Sequence, residues 1–221
     1  DTVAGSSHYV DFIRDRIAGK PVIQNSMKGE VERCLSALEA ALAGQNVCMV
    51  CSGDPGILAM AGLLYELRTR EPRFRDIPIR VLPGITAATI AASSLGAPLQ
   101  NGFSLVSLSD LLVSANEVRR NIRSVAQSLL PVALYNPAGR KRRDLLEETL
   151  AVFREHRGGD VLCAYVKNAG REQETKWVGK LSEFPAAEVD MSTLIIIGGP
   201  RTRLDSGVLY EPRGYVEKYM E

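Results

Sequence analysis

Two short loops rich in glycine and proline carry the residues best suited to holding a ligand. The first has the sequence SGDPG at residues 52–56, directly after an apolar run that ends at Cys51. Its glycines would let the backbone approach a ligand closely, and Pro55 would pre-set the backbone for the start of a helix. Asp54 could cap that helix or accept hydrogen bonds from a ligand amine or hydroxyl. A capped turn that binds nothing fits the composition equally well.

The second loop, PGITAA at residues 83–88, follows a short predicted strand at 79–82. Thr86 could donate its hydroxyl to a ligand, and the small Ala87 and Ala88 would let a flat or bulky group lie against a helix start. The alternative is a strand-to-helix turn packed by small residues. Two similar turns that present free backbone N–H groups predict a shared binding crevice.

Three further polar segments could contact a charged ligand. Tyr135 and Asn136 end an apolar strand, where ligands of open α/β sheets collect. The basic run RKRR at 140–143 opens a helix, where cations oppose the macrodipole unless they meet an anion. This basic run could therefore form a surface that binds a polycarboxylate, or it could be a solvated basic turn. Arg171 could hold a carboxylate in a bidentate pair or pair with a neighbouring glutamate.

The elements that would position these residues alternate along the chain. Strands are predicted at 46–51, 79–82, 103–108, 131–135, 161–166, 175–178 and 193–197, and helices at 30–43, 57–69, 85–95, 115–129 and 143–155. This alternation predicts an α/β fold. We expect two α/β domains, 1–102 and 103–221, because the sequence QNG at 100–102 is polar and turn-like. The mostly polar residues after Pro200 are expected to form a tail.

Composition argues against several functional classes. The 221 residues carry a net charge of +1, which gives no global field for binding nucleic acid. The apolar stretches are much shorter than a membrane span and residues 1–5 do not resemble a secretory signal, so we expect a cytoplasmic protein. No metal site is expected, because the chain has two histidines and Cys48 and Cys51 would point to opposite faces of a strand. Signatures of P-loop, dinucleotide-binding and serine-hydrolase sites are absent.

Taken in order, the motifs resemble those of the tetrapyrrole (corrin/porphyrin) methylases. This resemblance rests on SGDPG at 52–56, LPGITAA at 82–88 and LGAPL at 95–99. VSLSDLL at 106–112, ALYNP at 133–137 and VKNAGRE at 166–172 are similar to the branch of precorrin-3B or cobalt-precorrin-3 C17-methyltransferases. The similarity extends over most of the chain, from residue 3 to residue 199.

The resemblance implies two α/β domains with S-adenosylmethionine bound in the cleft between them, and a homodimer. Gly53, Asp54 and Ile57 would hold the methionine portion of the cofactor, and Thr86 and Ala87 would lie along it. The residues that would border the adenosine from the second domain are Tyr135, Asn136, Ala169, Gly170 and Thr193.

The C17 branch moves the methyl group of S-adenosylmethionine to C17 of the macrocycle and promotes contraction of the ring, in cobalamin biosynthesis. Alignment of an electrophilic sulfonium with an electron-rich carbon in a dry cleft would supply much of the rate. We assign no catalytic residue. Asp110 could serve the proton transfers of ring contraction, but a hydrogen-bonding or capping role is favoured. From their charge, we infer that Arg140, Lys141 and Arg171 could bind the acetate and propionate groups of the substrate.

The chain also departs from the family pattern. Family members begin with a strand and a Gly-Pro-Gly-type loop, and neither precedes Asp1, so the first strand is expected to be missing. Many relatives have His-Asp and Pro-Trp where this chain has Asn101-Gly102 and Ser114-Ala115. Two alternatives therefore stay open: a tetrapyrrole methylase that acts at another macrocycle carbon, and a non-catalytic module that binds tetrapyrrole or cofactor. The sequence leaves open whether the substrate carries cobalt.

Overall fold

The computed structural model describes residues 1–25, 29–138 and 143–220. The chain divides into two compact units, Asp1–Thr86 and Ala87–Glu221. Each unit combines strands and helices, which confirms the predicted α/β class. The domain boundary expected between residues 102 and 103 falls inside the second unit, and the assignment of 1–102 and 103–221 stays a prediction.

A three-stranded parallel sheet forms the centre of the first unit. Its strands, in spatial order, are β2 (Val22–Asn25), β1 (Thr2–Ser6) and β3 (Val47–Val50). Val3 of β1 lies opposite Val22 on one side and opposite Cys48 on the other. All five residues of β1 are buried, as is typical of a central parallel strand. The carboxyl ends of the three strands meet at one edge of the sheet, so the loops that follow them are neighbours.

Helices connect and cover these strands. They are α1 (Ser7–Asp11), α2 (Glu30–Leu42) and α3 (Ala61–Arg70), with short 3-10 turns at Arg14–Arg16 and Pro72–Phe74. Cys34 and Leu38 of α2, Leu67 of α3 and Phe74 form a small buried core. This core fixes α2 and α3 relative to each other within the unit.

Two predicted elements of the first unit differ from the structure. The helix predicted at 57–69 begins only at Ala61, because Leu58 has a positive φ of 54° and residues 51–60 form an irregular loop. The strand predicted at 79–82 pairs with no described strand. A cavity of about 580 Å³ is lined by both β3 and segment 77–84.

A five-stranded mixed sheet forms the centre of the second unit. In spatial order its strands are β5 (Ser104–Ser107), β6 (Val132–Tyr135), β9 (Thr193–Ile197), β7 (Leu162–Lys167) and β8 (Thr175–Lys180). β5 and β6 are parallel, whereas β9 is antiparallel to both β6 and β7. The carboxyl ends of β5, β6 and β7 therefore meet at one edge, together with the amino end of β9.

Helices pack on both faces of this sheet. α4 (Ala87–Leu95) packs on one face, and α5 (Ala115–Gln127) and α6 (Arg143–Arg157) pack on the other. Within β6, Ala133 lies in the cluster with α4, whereas Val132 and Leu134 lie in the cluster with α5 and α6. This alternation is the period of two that a strand imposes on its side chains.

The prediction of a polar tail after Pro200 is wrong. This segment contains β10 (Arg203–Asp205), β11 (Val208–Tyr210) and α7 (Tyr215–Tyr219), and β11 pairs with β4 (Gly96–Ala97). The hairpin turns through Ser206 and Gly207, whose φ angles of 49° and 81° are typical of a tight two-residue turn. Leu209 is fully buried in the cluster with α4 and anchors the hairpin.

Candidate functional site

Two loops of the first unit are joined through the carboxylate of Asp54. Its Oδ1 accepts a hydrogen bond from the N–H of Gly56 at 2.8 Å, and its Oδ2 accepts one from the N–H of Gly84 at 2.9 Å. Asp54 does not cap α3, which begins at Ala61. Instead it connects the loop of residues 52–56, here the SGDPG loop, to the loop of residues 83–86, here the PGIT loop. The crevice predicted from two separate turns therefore has a physical basis within one unit.

Close approach of the loops explains Gly84, and backbone conformation explains Gly53. A Cβ atom added to Gly84 would lie 2.1 Å from the carbonyl oxygen of Gly53, far inside the closest approach that real Cβ atoms show. Gly53 has a φ of 73°, in the left-handed region that glycine adopts without strain. A side chain at position 84 would force the SGDPG and PGIT loops apart.

The remaining predicted residues of the first unit differ in exposure. Gly53 is exposed, Asp54 is half-buried, and the side chain of Ile57 is 37% exposed. The N–H of Ile57 donates to the carbonyl of Asp54 at 3.2 Å, which holds it beside the loop. Thr86 is buried, at 8% exposure, so its hydroxyl is less accessible than the sequence suggested.

The cavity of about 580 Å³ opens beside the two loops. Gly53, Pro55 and Gly84 line its loop end, and α2, β3 and α3 supply mostly aliphatic walls that include Leu38 and Leu64. Charged groups of a ligand would be strongly disfavoured against aliphatic walls. At the loop end, in contrast, the backbone groups of Gly53 and Gly84 offer polar contacts, and Arg80 is a charged residue in the lining.

In the second unit, the strand ends bring most of the other predicted residues to one edge of the sheet. Asp110 follows β5, Tyr135 and Asn136 end β6, Ala169, Gly170 and Arg171 follow β7, and Thr193 begins β9. This gathering follows from the parallel course of β5, β6 and β7. Arg140 and Lys141 lie outside the described residues, and their assignment stays a prediction.

The Tyr135 hydroxyl holds the first turn of α4. Its Oη accepts a hydrogen bond from the N–H of Ala88 at 2.7 Å. Amides in the first turn of a helix have no partner within the helix, so this bond satisfies one of them. The end of β6 is thereby attached to the helix that starts at Ala87, a predicted cofactor residue that is half-buried.

Two asparagines turn the chain sharply where strands end. Asn136 and Asn168 both have a φ of 52°, a region that asparagine tolerates better than most residues. The Asn136 Nδ2 donates to Ser107 Oγ at 3.0 Å, and the Asn168 N–H donates to the carbonyl of Ser192 at 3.0 Å. These turns direct the residues after β6 and β7 along the edge of the sheet. The NP and NAG sequences signal such turns, but they do not reveal the partners.

Thr193 belongs to a polar network that sequence reasoning did not identify. Its Oγ1 donates to Asp190 Oδ1 and accepts from the Asp190 N–H, both at 3.1 Å. Lys167 Nζ lies 2.5 Å from Asp190 Oδ2, and Ser192 adds two further bonds to Oδ1. Burial raises the pKa of Asp190, but the bonds from Lys167, Ser192 and Thr193 outweigh it and lower the pKa to about 2. Because its hydroxyl is engaged, Thr193 would meet a ligand through its backbone.

Small residues after β7 lie against α4. A Cβ added to Gly170, whose φ is 73°, would lie 2.9 Å from Ile90 Cγ2. The N–H of Gly170 donates to Glu174 Oε2 at 2.6 Å. Ala169 packs at the margin of the cluster with α4, and Arg171 is exposed. The backbone at 169–170 is therefore held against a helix with no side chain large enough to cover it.

Asp110 is exposed in the loop between β5 and α5. Ser114, and not Asp110, caps α5, by accepting a hydrogen bond from the N–H of Glu117 at 3.2 Å. The hydrogen-bonding role that was the alternative to capping stays a prediction for Asp110. The negative charge of Asp110 contributes to a raised pKa of Arg119, after the larger effects of the hydrogen bond and charge of Glu148.

Within residues 1–25, 29–138 and 143–220, no group of three or more His, Cys, Asp or Glu side chains is arranged to hold a metal ion. Burial raises the pKa of Cys34 to about 11 and that of Cys163 to about 12, so both stay protonated at neutral pH. Among the helices of the same described ranges, none has the length and apolar character needed to cross a membrane.

Comparison with known proteins gives a consistent result. Residues 3–185 match the family of Tetrapyrrole (Corrin/Porphyrin) Methylases. A probable cobalt-factor III C(17)-methyltransferase of Salmonella typhimurium is 36% identical over 215 residues, which span 97% of this chain and 88% of that protein. The solved structure of the methyltransferase CobJ has a TM-score of 0.89 and 31% identity, covering 96% of this chain and 88% of that one.

A more distant solved structure shares the fold. It is a uroporphyrin-III C-methyltransferase from Thermus thermophilus in complex with S-adenosylhomocysteine, with a TM-score of 0.62 and 20% identity, covering 89% of this chain and 84% of that one. The match over residues 3–185 and the 36% identity over nearly the full length confirm the resemblance seen in the motifs. The chain belongs to the tetrapyrrole (corrin/porphyrin) methylase family.

Proposed function

We propose that this chain transfers a methyl group from S-adenosylmethionine to C17 of precorrin-3B or cobalt-precorrin-3, with contraction of the ring, in cobalamin biosynthesis. The observation that carries this proposal is the similarity over 97% of the chain to a protein named as a cobalt-factor III C(17)-methyltransferase. The structure adds support in the first unit, where Asp54 joins the two loops expected to hold the cofactor.

The loops of the first unit suit the methionine end of S-adenosylmethionine. Its ammonium group needs acceptors, and its carboxylate needs N–H donors. Gly53 and Gly84 are exposed and lack side chains, so their backbone groups can be approached closely. Each carboxylate oxygen of Asp54 accepts one bond from the protein and keeps a further lone pair for a ligand donor. We assign Gly53, Asp54 and Ile57 to the methionine portion, with Thr86 and Ala87 beside it.

The edge of the second unit suits a flat heterocycle. We assign the adenosine to Tyr135, Asn136, Ala169, Gly170 and Thr193. Ala169 and Gly170 leave the backbone accessible to a planar ring. Thr193 already donates its hydroxyl to Asp190, so it would contribute backbone contacts, and Tyr135, whose Oη accepts from the N–H of Ala88, would contribute its ring.

Bound S-adenosylmethionine supplies an electrophilic methyl group on its sulfonium. The residues of the chain bind and orient, and positioning of this kind can supply much of a rate enhancement. The Asp54 bonds fix the SGDPG and PGIT loops relative to each other, and the Tyr135 bond fixes the start of α4. Substrate contacts complete the proposal: Asp110, which is exposed, would bind the macrocycle, and Arg140, Lys141 and Arg171 would bind its carboxylates.

We further propose that the chain acts in the cytoplasm as a homodimer on a tetrapyrrole substrate, as the family resemblance implies. The net charge of +1 supports a small-molecule substrate rather than nucleic acid. Whether the macrocycle carries cobalt is left open by the residues assigned above.

Calorimetric titration of S-adenosylhomocysteine into the chain tests the cofactor assignment. We expect Asp54→Ala to weaken binding at least tenfold, because it removes the carboxylate that joins the two loops. Asp76→Ala, at an exposed aspartate of the same unit, is the matched control and should bind as the unmodified chain does. Unchanged affinity in Asp54→Ala would refute the assignment of that loop.

A second measurement tests the reaction. The chain is supplied with the trimethylated precursor and S-adenosylmethionine carrying a ¹³C methyl group, and the product is examined by mass spectrometry and NMR. Addition of one labelled methyl group at C17 is expected. Addition at another carbon would favour a different member of the family, and binding without addition would favour the non-catalytic module.

A further inference from the structure

The loop between β5 and α5 presents adjacent apolar side chains to solvent. Leu111 is 77% exposed, Leu112 is 94% exposed and Val113 is 40% exposed. Single exposed leucines are ordinary in folded proteins, whereas contiguous apolar surface marks a contact site. We refer to residues 109–113 as the leucine loop.

Both ends of the leucine loop are anchored. Before it, Leu108 is 1% exposed and donates its N–H to the carbonyl of Tyr135 at 2.8 Å. After it, Ser114 caps α5 through its bond with the N–H of Glu117. The exposed leucines are therefore presented by a loop fixed beside the end of β6, and not by a free chain end.

We infer that Leu111 and Leu112 contact the apolar face of the tetrapyrrole macrocycle, an inference that rests on the proposed function. A tetrapyrrole has a broad flat face of low polarity and carries its carboxylates at the rim. Sites for such ligands combine apolar side chains with a few placed polar groups. The leucine loop follows the carboxyl end of β5, at the sheet edge where the adenosine residues Tyr135 and Asn136 also lie. A macrocycle positioned near the methyl donor would meet this edge and cover both leucines.

The chain provides a matched comparison at the other edge of the same sheet. Leu129 is 74% exposed and precedes β6, at its amino end. It resembles Leu111 in side chain and exposure but lies away from the carboxyl ends of the strands. If exposed leucines bound a porphyrin indiscriminately, Leu129 would contribute as much as Leu111.

The test uses uroporphyrin III as the probe, because its own fluorescence reports binding to the 221-residue chain without any cofactor. The variants are L111S/L112S, L111M/L112M and L129S. We expect the Kd for uroporphyrin III to rise at least tenfold in L111S/L112S and to change less than twofold in the other two. The Kd for S-adenosylhomocysteine should change less than twofold in all three.

Several results would overturn the inference. They are an unchanged uroporphyrin affinity in L111S/L112S, an equal loss in L129S, and no uroporphyrin binding by the unmodified chain. Conversion of a dimer to a monomer by L111S/L112S, measured by sedimentation, would also overturn it, because a second copy of the chain would then cover the leucines. Failure of S-adenosylhomocysteine to bind the unmodified chain would instead count against the proposed function, since the uroporphyrin measurement needs no cofactor.

Discussion

At the scale of single residues, the carboxylate of Asp54 organises the candidate site of the first unit. It accepts from Gly56, two positions away in the sequence, and from Gly84, thirty positions away. The two loops can approach this closely only because position 84 has no side chain. Asp54 and Gly84 are therefore parts of one arrangement, and substitution of either should affect the same loops.

Gly84→Ala tests this arrangement. The new Cβ would lie 2.1 Å from the Gly53 carbonyl oxygen, so the loops must separate. Crowding of this kind costs about 1–3 kcal/mol of the free energy of unfolding. We expect that loss in urea unfolding, together with weaker binding of S-adenosylhomocysteine.

Gly62→Ala is the control for Gly84→Ala. Gly62 is exposed within α3, and no atom lies within 4 Å of the position of its added Cβ. Alanine in a helix interior is favoured over glycine by about 0.5–1 kcal/mol, and because Gly62 lies in the first turn of α3, this change should stabilise the unit by at most that amount. If both variants gave the same result, the contact between the loops would not be the cause.

Several side-chain roles could not be predicted because they depend on partners distant in sequence. The motifs place Tyr135 and Thr193 at strand ends, which the structure confirms. The bond of Tyr135 to Ala88 depends on how α4 packs over the sheet, and that of Thr193 to Asp190 depends on the turn before β9. Neither arrangement leaves a local signal in the sequence. The cap on α5 could have been predicted from the local sequence, since Ser114 lies directly before the helix and three residues before Glu117.

At the scale of elements, the Asp190 network holds the start of β9 against the end of β7. Lys167 ends β7 and pairs with the carboxylate of Asp190, which also accepts from Ser192 and Thr193. The pKa of Asp190 is lowered to about 2, below the value of about 3.9 for an unfolded chain. A lowered carboxylate pKa contributes stability that is present above the unfolded pKa and is lost as the pH falls through the folded pKa.

Asp190→Asn should therefore make the free energy of unfolding depend less on pH in the acid range. Asparagine keeps an oxygen that can accept from Ser192 and Thr193, but it removes the charge that Lys167 meets. We expect a loss on the order of 1 kcal/mol above about pH 5, reduced by solvent screening because Asp190 is 48% exposed. The difference from the unmodified chain should shrink as the pH falls towards about 2.

Chemical unfolding at a series of pH values measures this difference. Asp76→Asn, at an exposed aspartate, should leave the profile unchanged. A constant difference between Asp190→Asn and the unmodified chain across the whole pH range would show that charge is not the cause.

Element prediction succeeded where hydrophobic periodicity was strong and failed where a neighbour decided the outcome. The alternation of strands and helices predicted the correct fold class, because the spacing of apolar residues that is typical of each element is a local property of the chain. Segment 79–82 has the composition of a strand, but it pairs with none of the described strands and instead lines a cavity together with β3. The segment after Pro200 is mostly polar, but Leu209 within it is buried against α4 and β11 pairs with β4.

At the scale of the whole molecule, folding is linked to the binding of S-adenosylhomocysteine, the product formed from the cofactor. A ligand that binds only the folded chain adds stability that depends on the ratio of its concentration to its Kd. At one hundred times the Kd, S-adenosylhomocysteine should raise the free energy of unfolding by about 2.7 kcal/mol. This measurement requires neither the macrocycle nor turnover, so it isolates cofactor binding from the chemistry.

The same linkage gives a quantitative expectation for the Asp54 variant. If Asp54→Ala weakens binding tenfold, the same ligand concentration is only ten times the new Kd, and the gain should fall to about 1.4 kcal/mol. Thermal unfolding of both chains, with and without ligand, provides the comparison, and Asp76→Ala should retain the full gain. An equal gain in Asp54→Ala and the unmodified chain would mean that the ligand binds away from the SGDPG loop. No gain in the unmodified chain would contradict binding to the folded protein altogether.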